Sequence, residues 1–271
     1  MKSVLSFLFL IILLSCSNKD LNAKINNAYS ILDSSYVEFR AGNNDIAKTL
    51  ANNALSVGLE LENDTLTGDA LMSLCRTALR DRDNSALENY SDQLIELATK
   101  SNDRTWEMVR AHMNAEMARM NNDLERAAEL YDVSLRISDS IGSKGMYAAE
   151  HFNKSFVEAA RGNIAEAHNL VKRYYQIRKE IDPESEDVYG LIAVSNLLFH
   201  KNDLHGAAEV SMAARRLFKE QNIVPDPADE KPLKKVEEDY KTTLLQETQD
   251  SLKISSATMT VDSIIRKYLK D

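Results

Sequence analysis

Five pairs of polar residues interrupt the apolar pattern of this chain at a constant interval of forty residues. The pairs are Gly42-Asn43, Arg82-Asp83, Asn122-Asp123, Gly162-Asn163 and Asn202-Asp203. A recurrence at a fixed distance indicates a structural unit that is copied along the chain. The second member of each pair is Asn or Asp, whose side chains accept hydrogen bonds from the free N–H groups of a helix's first turn. Each pair therefore predicts a helix start, and Glu166 completes a capping-box pattern with Asn163.

Small side chains recur in phase with these predicted helix starts. Eight residues before the predicted caps stand Ser35, Cys75, Ala115, Ser155 and Ser195, and four residues after them stand Ala47, Leu87, Ala127, Ala167 and Ala207. Small residues at fixed places on successive helices are what close antiparallel packing requires, because a large side chain would push the helix axes apart. Each forty-residue unit is therefore predicted to be a hairpin of two helices.

The composition agrees with a helical fold and excludes one class of partner. The chain has 271 residues, of which 44% are hydrophobic and only eight are Gly and four Pro, which is too little of either for a turn-rich β fold. The net charge is −9, and no long run of Lys or Arg occurs. The basic surface that a phosphate backbone needs is therefore missing, and we do not expect nucleic acid as a partner.

The N-terminus resembles a bacterial lipoprotein signal. Lys2 is followed by an apolar run from Val4 to Leu14, which is too short to span a bilayer comfortably and is typical of an export signal. The letters LLSC that end at Cys16 resemble the lipobox, after which cleavage leaves a Cys that carries acyl chains. This resemblance implies a signal peptide over 1–15, a lipidated Cys16 and tether over 16–23, and a membrane-anchored chain in the cell envelope, on the outer membrane or the periplasmic face. An ordinary cleaved signal or an uncleaved anchor are the alternatives.

The repeated units resemble the tetratricopeptide repeat. The third unit carries the resemblance best, with Ala115, Asn122-Asp123, Ala127, Tyr131 and Ser134-Leu135. The resemblance implies an all-α fold, a right-handed α-solenoid of about five helical hairpins over residues 24–222. It departs from the family in having units of forty residues rather than about thirty-four. The large aromatic residue early in the first helix is absent or displaced, and the helix-ending proline survives only near Pro183.

The last part of the chain, residues 223–271, is predicted to be a linker followed by capping helices. Three of the four prolines lie between 225 and 232 and mark a boundary. A long amphipathic helix is predicted from about Lys231 to Ile254, and a short apolar segment follows from Val261 to Leu269. Stacked hairpins leave an apolar end that needs a cap, and we favour that role. The alternatives are a stripe for a partner helix and a plug in the chain's own groove.

No catalytic, cofactor or metal motif is present in the sequence. Neither a phosphate-binding glycine loop nor an HExxH, CxxC or nucleophile-elbow pattern occurs. His112 and Glu116 share a helix face and could begin a metal site with His151, but such sites need three or four ligands. We therefore expect no enzyme, no cofactor and no metal, and we interpret Cys75 and Trp106 as core residues.

A stack of hairpins offers an inner surface, which in the family is lined by the first helix of each unit. Projecting that pattern predicts the candidate binding residues Tyr36, Phe39, Arg40, Met72, Arg76, Arg80, His112, Glu116, Arg119, Phe152, Asn153, Phe156, Ile192, Asn196 and Phe199. Aromatic and flexible apolar groups suit peptide anchors, and arginines in the middle could take a carboxylate. The alternative interpretation is that many of these aromatic residues belong to the core between helices.

These features favour a lipid-anchored scaffold that binds a protein or peptide and performs no chemistry. In architecture it is similar to lipoproteins that assist the assembly of outer-membrane barrels or pilus secretins. The alternative is a surface lipoprotein that binds a small molecule or an oligosaccharide.

Overall fold

The structure is a computed structural model that describes residues 2–184, 186–225 and 227–270, with side chains described from Asp20 onward except at 226–228. Within these ranges the chain forms thirteen α-helices and no strand, so the predicted all-helical class is confirmed. The helices are α1 Lys2–Ala41, α2 Asn44–Glu60, α3 Asp64–Asp81, α4 Asn84–Ser101, α5 Thr105–Met120, α6 Leu124–Ser140, α7 Lys144–Ala160, α8 Ile164–Ile181, α9 Leu191–His200, α10 Leu204–Glu220, α11 Pro227–Thr243, α12 Gln246–Ser256 and α13 Val261–Tyr268.

Consecutive helices pack against each other as a series of hairpins. Helices α1 and α2, α3 and α4, α7 and α8, and α9 and α10 form closely packed pairs, as the forty-residue spacing predicts. The chain divides into two compact units, Met1–Met113 (unit 1) and Asn114–Asp271 (unit 2), and the division falls inside α5. Each unit is described by itself below.

The turns between helices recur every twenty residues, at half the spacing seen in the sequence. The predicted caps at 43, 83, 123, 163 and 203 are the N-caps of α2, α4, α6, α8 and α10. The residue before each cap has a positive φ, and so do Glu62, Asn102, Gly142 and Asn222 at the turns between the hairpins. Since helices commonly end on a residue of this conformation, one turn type serves inside and between hairpins.

One residue in each turn serves two helices at once. The backbone N–H of Asn43 donates to the carbonyl of Glu38, and that of Asn163 donates to the carbonyl of Glu158, both at 2.9 Å. This six-residue closure is the Schellman motif, which satisfies a free carbonyl of the preceding helix. The same residues are the N-caps of α2 and α8. A helix end and the next helix start are thus fused, so the chain reverses without a long loop.

Asp and Asn caps use their side chains differently. The carboxylates of Asp83, Asp123 and Asp203 accept a hydrogen bond from the N–H three residues on. The amides of Asn43 and Asn163 instead donate to the carboxylates five residues earlier, on Glu38 and Glu158, both at 2.7 Å. The predicted capping box of Asn163 with Glu166 is therefore wrong, because Glu158 takes up the Asn163 amide.

The small residues in phase with the turns are all buried where two helices meet. Ser35, Cys75, Ala115, Ser155 and Ser195 are at most 2% exposed, as are the residues four positions after each cap. The hydroxyl of Ser35 donates to the carbonyl oxygen of Ala47 at 2.7 Å, and that of Ser195 donates to Ala207 at 3.0 Å. A side chain that reaches the backbone of the facing helix in one bond shows how closely the two axes approach.

The stretch between α8 and α9 departs from the regular turn. Asp182 has extended backbone angles, because the following Pro183 disfavours the helical conformation in the residue before it. The chain then runs to α9 through a segment held by Asp187, whose carboxylate accepts hydrogen bonds from Tyr174 at 2.6 Å and from Arg178 at 2.7 Å. Helix α9, the first helix of the fifth hairpin, consequently has only 10 residues and is shorter than the first helices of the preceding hairpins.

Two helices, α11 and α12, take the place of the one long helix predicted after the proline-rich stretch. Helix α11 ends at Thr243 and α12 begins at Gln246, so the predicted continuous helix from Lys231 to Ile254 is wrong. Helix α11 begins at Pro227 rather than at about Lys231, and Pro232 lies inside it, so the proline-rich stretch predicted as a boundary is partly helical. Leu233, next to Pro232, is fully buried, and burial of an apolar face stabilises a helix more than intrinsic propensity does.

Helices α11 and α12 pack on the last hairpin, α11 against α9 and α10 and α12 against α10. Glu209 of α10 is the polar centre of this contact, because its carboxylate accepts hydrogen bonds from Ser255 at 2.6 Å, Lys267 at 2.6 Å and Tyr268 at 2.5 Å. Burial opposes its ionisation, but these donors hold the pKa of the Glu209 carboxyl below its ordinary value. Val261 and Ile264 of α13 are buried in the same core, as the sequence predicts.

The predicted signal peptide and lipidated Cys16 lie outside the part of the chain whose side chains are described. The backbone of α1 is helical from Lys2. In the described residues, no helix is both long enough and apolar enough to cross a bilayer. The N-terminal interpretation therefore stays a prediction.

Two glycines with open surroundings test the turn conformation. Gly162 has φ +83°, whereas Gly145 lies in α7 without a positive φ, and a Cβ added at either residue meets no atom within 4 Å. We expect Gly162→Ala to lower the free energy of unfolding by about 1 kcal/mol and Gly145→Ala to raise it by a few tenths to about 1 kcal/mol. Urea unfolding of both variants measures the difference, and equal effects would show that the backbone at Gly162 is unconstrained.

The contact at Glu209 predicts a pH-dependent stability. Because the folded-state pKa of Glu209 is lowered, its stabilisation is complete above the unfolded-state pKa of about 4.3 and is lost as the pH falls through the folded-state value. We expect Glu209→Gln to cost about 2 kcal/mol at pH 7 and progressively less below pH of about 4. The exposed Glu238→Gln is the matched control in thermal unfolding. If Glu209→Gln costs as much below pH of about 4 as it does at pH 7, the ionised Glu209 carboxylate does not stabilise this contact.

Candidate functional site

The first helices of unit 1 carry a cluster of arginines stacked on aromatic rings. The guanidinium carbons of Arg40 and Arg76 lie 5.8 Å and 5.7 Å from the centroid of the Tyr36 ring. Tyr36 as a residue is 40% exposed, which is high for a large aromatic residue. We call this surface of α1 and α3 the arginine face, and its residues are Tyr36, Phe39, Arg40, Met72, Arg76 and Arg80.

Helical spacing and aromatic contacts fix the positions of the arginines. Phe39 follows Tyr36 by three residues, so both rings project from one side of α1. The guanidinium of Arg80 lies 3.7 Å from the centroid of the Phe39 ring and also donates to the Phe39 carbonyl oxygen. On α3, Arg76 contacts the Met72 sulfur at 3.8 Å, one helical turn away. The face is therefore preorganised by contacts inside the chain.

The arginine face is positive on a chain whose net charge is −9. Among the described residues, no carboxylate oxygen lies within 4.0 Å of the Arg76 guanidinium. One acid that interacts electrostatically with Arg76 is Asp69, whose carboxyl pKa is raised by burial while Arg76 opposes that shift. A guanidinium on an aromatic ring is well placed to pair with a carboxylate, because its planar donors stay directed outward.

In unit 2 the predicted arginine is instead committed to a buried network. Glu116 is 9% exposed, and its carboxylate accepts hydrogen bonds from Arg119, at 2.5 Å, and from the hydroxyl of Tyr131. Burial, followed by the charge of Glu116, raises the pKa of Tyr131 well above its ordinary value. Although burial acts against it, Glu116 also raises the pKa of Arg119. The charge of Arg119 is thus balanced inside the fold.

The predicted aromatic residues of unit 2 lie in its core. Phe152 and Phe156 are 5% and 6% exposed, and their rings make an edge contact at 5.0 Å. Ile192 is fully buried and Asn196 is 8% exposed. Phe199 is half-buried and lies 5.2 Å from the Lys235 ammonium of α11. The sequence allows either a binding groove or a core between helices for these residues, and their burial agrees with the core interpretation.

The remaining predicted residues are half-buried and lie on either side of the division between the units. His112 belongs to the part of α5 in unit 1, and Asn153 belongs to α7 in unit 2. Within the described ranges, no three His, Cys, Asp or Glu side chains come together as metal ligands would. His151 uses its Nδ1 in a 2.7 Å hydrogen bond with the Tyr147 carbonyl, in the same helix.

Sequence reasoning missed a contact within unit 2, between α11 and the segment that precedes α9. Asp229 accepts a hydrogen bond from the Tyr189 hydroxyl at 2.6 Å, and its charge also acts on Arg119. Asp229 follows Tyr189 by forty residues. The repeat spacing, continued past the fifth unit, would have placed α11 as one further first helix.

The core assignments of Cys75 and Trp106 are confirmed. Cys75 is fully buried, and burial raises the pKa of its thiol to about 12, so it is a poor nucleophile. Trp106 is 5% exposed and its ring packs on Gly68, where an added Cβ would lie 2.3 Å from the ring.

A comparison with protein-family models gives no match, and a comparison with curated proteins gives no significant similarity.

The buried network of Glu116 gives a direct prediction. We expect Tyr131→Phe to lower the free energy of unfolding by about 2 kcal/mol, because hydrogen bonds to charged groups are worth about 1.5–3 kcal/mol. The control is Tyr90→Phe, at a half-buried tyrosine of α4, for which the change should stay within about 0.5 kcal/mol. Urea unfolding measures both. Equal small effects would mean that the Tyr131 hydroxyl does not stabilise Glu116.

Proposed function

We propose that this chain is a non-catalytic binding protein of the bacterial cell envelope, anchored through a lipid on Cys16, which holds an acidic segment of a protein partner on the arginine face. The proposal joins the resemblance to tetratricopeptide repeats, the lipobox-like end of the first sixteen residues and the arginine cluster of unit 1. It assigns no cofactor, metal or nucleic acid to the chain.

The observation that supports this proposal most strongly is the pair of guanidinium groups whose carbons both lie within 6 Å of the centroid of the Tyr36 ring, at an exposed tyrosine. A carboxylate that lies against Arg40 or Arg76 can accept two parallel hydrogen bonds, which gives geometric specificity as well as energy. The exposed ring beside them can contact an apolar neighbour in the same peptide. Arginine and tyrosine are also the residue types that most often dominate the free energy of protein association.

Unit 2 supports the same location by contrast. Its arginine is paired with Glu116, and its aromatic residues are buried. In unit 1, Tyr36 is exposed and the half-buried Arg76 has no carboxylate oxygen within 4.0 Å among the described residues, so we place the acidic segment there.

Binding of a defined acidic peptide to the full chain in non-ionic detergent tests the proposal. The probe is a fluorescein-labelled GSDFEDLSG, and GSNFQNLSG is its neutral counterpart. We expect Arg40→Gln/Arg76→Gln to weaken binding of the acidic peptide by about a hundredfold, since two charge-assisted contacts are lost. The charge-matched control Lys48→Gln/Arg82→Gln lies in the same unit outside the arginine face, and its affinity should stay within about twofold of the original.

Three results would contradict the assignment. The neutral peptide could bind as well as the acidic one, both double variants could weaken binding equally, or the acidic peptide could fail to bind. Stabilisation of the chain by glycans, with no effect of either peptide, would favour the oligosaccharide alternative.

The anchoring part of the proposal has its own test. Expression of the chain and of its Cys16→Ser variant in bacteria, with a labelled fatty acid, shows whether the lipid is attached at Cys16. We expect label in the original chain and none in the variant. Equal labelling of both would remove Cys16 as the anchor.

A further inference from the structure

Unit 1 contains a cleft of about 310 Å³ between the end of α2, the start of α3 and the end of α4. It shares no lining residue with the arginine face. The two helices on one side approach closely, because a Cβ added at Gly58 would lie 2.7 Å from the Thr67 hydroxyl oxygen. Its volume is at the lower end of the range for ligand sites, about 300–1,000 Å³.

The floor of the cleft is apolar and continues onto the surface. Leu71 and Leu97 line it, and both are buried. Leu59 also lines it and is 60% exposed, one of the most exposed large apolar residues in the described part of the chain. An apolar side chain that is exposed at the mouth of a cleft offers contact area to a group that extends beyond it.

The charged groups of the cleft are net negative. Its lining contains the carboxylates of Glu62, Asp64 and Glu96 against the single ammonium of Lys100. Lys100 pairs with Asp64 at 2.9 Å, and both side chains are partly exposed. Among the described residues, no cation lies within 4.0 Å of the Glu62 or Glu96 carboxylates. Exposed pairs such as Lys100 with Asp64 contribute little and are easily exchanged.

The lining residues of α3 and α4 extend along the length of the cleft. Because α3 and α4 run antiparallel, Asp64 and Lys100 are at one end of the cleft, Leu71 and Gln93 are at the other, and Glu96 lies between the ends. Seven residues of helix separate the ends, which is about 10 Å. A long aliphatic side chain with a cationic end would therefore find methylene contacts along the cleft and carboxylates both midway along it, at Glu96, and at the end that carries Asp64.

We propose that this cleft binds a basic segment of a protein partner, with a lysine or arginine side chain in the cleft and an apolar neighbour of that residue on Leu59. Charge complementarity selects the cation, and the exposed Leu59 at the mouth favours a peptide over a free polyamine, which has no apolar side group to cover it. The chain thereby has a second interaction surface, opposite in charge to the arginine face.

Fluorescence anisotropy with the full chain in non-ionic detergent tests this second surface. The probe is a fluorescein-labelled GSLKALRSG, and GSLEALESG is the acidic counterpart. We expect Glu62→Gln/Glu96→Gln to weaken binding of the basic peptide by about tenfold or more, because each lost charge pair is worth about 1 kcal/mol. The control Asp81→Asn/Glu88→Gln removes the same charge from exposed residues of unit 1 outside the cleft, and its affinity should change by less than about twofold. Leu59→Ser should weaken binding while leaving the thermal unfolding temperature unchanged, because Leu59 is exposed.

The outcomes separate this proposal from its competitors and from the proposed function. Arg40→Gln/Arg76→Gln should bind the basic peptide as the original chain does. Equal losses in the two acid-to-amide variants would overturn the proposal, since the attraction would then come from overall charge. Equal binding of the acidic peptide, no binding of the basic peptide, or no effect of Leu59→Ser would also overturn it. Binding of spermidine without binding of the basic peptide would assign the cleft to a polyamine instead.

Discussion

The close approach of two antiparallel helices at a small residue is the constraint on which the rest of this structure depends. A buried serine hydroxyl that reaches the carbonyl of the facing helix, as Ser35 does with Ala47 and Ser195 with Ala207, leaves no room for a larger side chain. Because the turns recur at twenty residues, the small residue and the facing position return in the same phase in every hairpin. The forty-residue pattern in the sequence is therefore the spacing of a packing contact.

This packing explains why one face of the first helices serves different purposes in the two units. In unit 2, Phe152 and Phe156 fill the core beside α9, and Arg119 is neutralised by Glu116. In unit 1, Tyr36 remains exposed and is flanked by two guanidinium groups. The same helix position can thus be structural in one unit and available for binding in the other. The two surfaces proposed here, the arginine face and the acidic cleft, both belong to unit 1.

The sequence was sufficient to predict the helical class, the five caps and the small buried residues, because each depends on local backbone chemistry and on a spacing that can be read directly. It was insufficient where the outcome depends on a tertiary neighbour. Asn163 and Glu166 match the sequence pattern of a capping box, but in the folded chain the Asn163 side-chain amide donates to the Glu158 carboxylate and does not cap α8. The break between α11 and α12 has no proline or glycine to mark it, since it lies at Leu244 and Leu245. Phe152 and Ile192 are buried because they pack against neighbouring helices. The sequence places the inner face of each helix only to within about one residue, which is too coarse to separate a core position from a groove position.

The most direct test of the central claim is a double-mutant cycle at Ala115 and Ala127, which are both fully buried in one core cluster. Ala127→Val adds volume and Ala115→Gly removes it, and urea unfolding gives the free energy of each variant and of the pair. If the two residues share one packing contact, the double variant will be more stable than the sum of the single effects predicts, by about 1 kcal/mol or more. Single effects that add to within about 0.3 kcal/mol would show that the two positions are independent and would contradict the account.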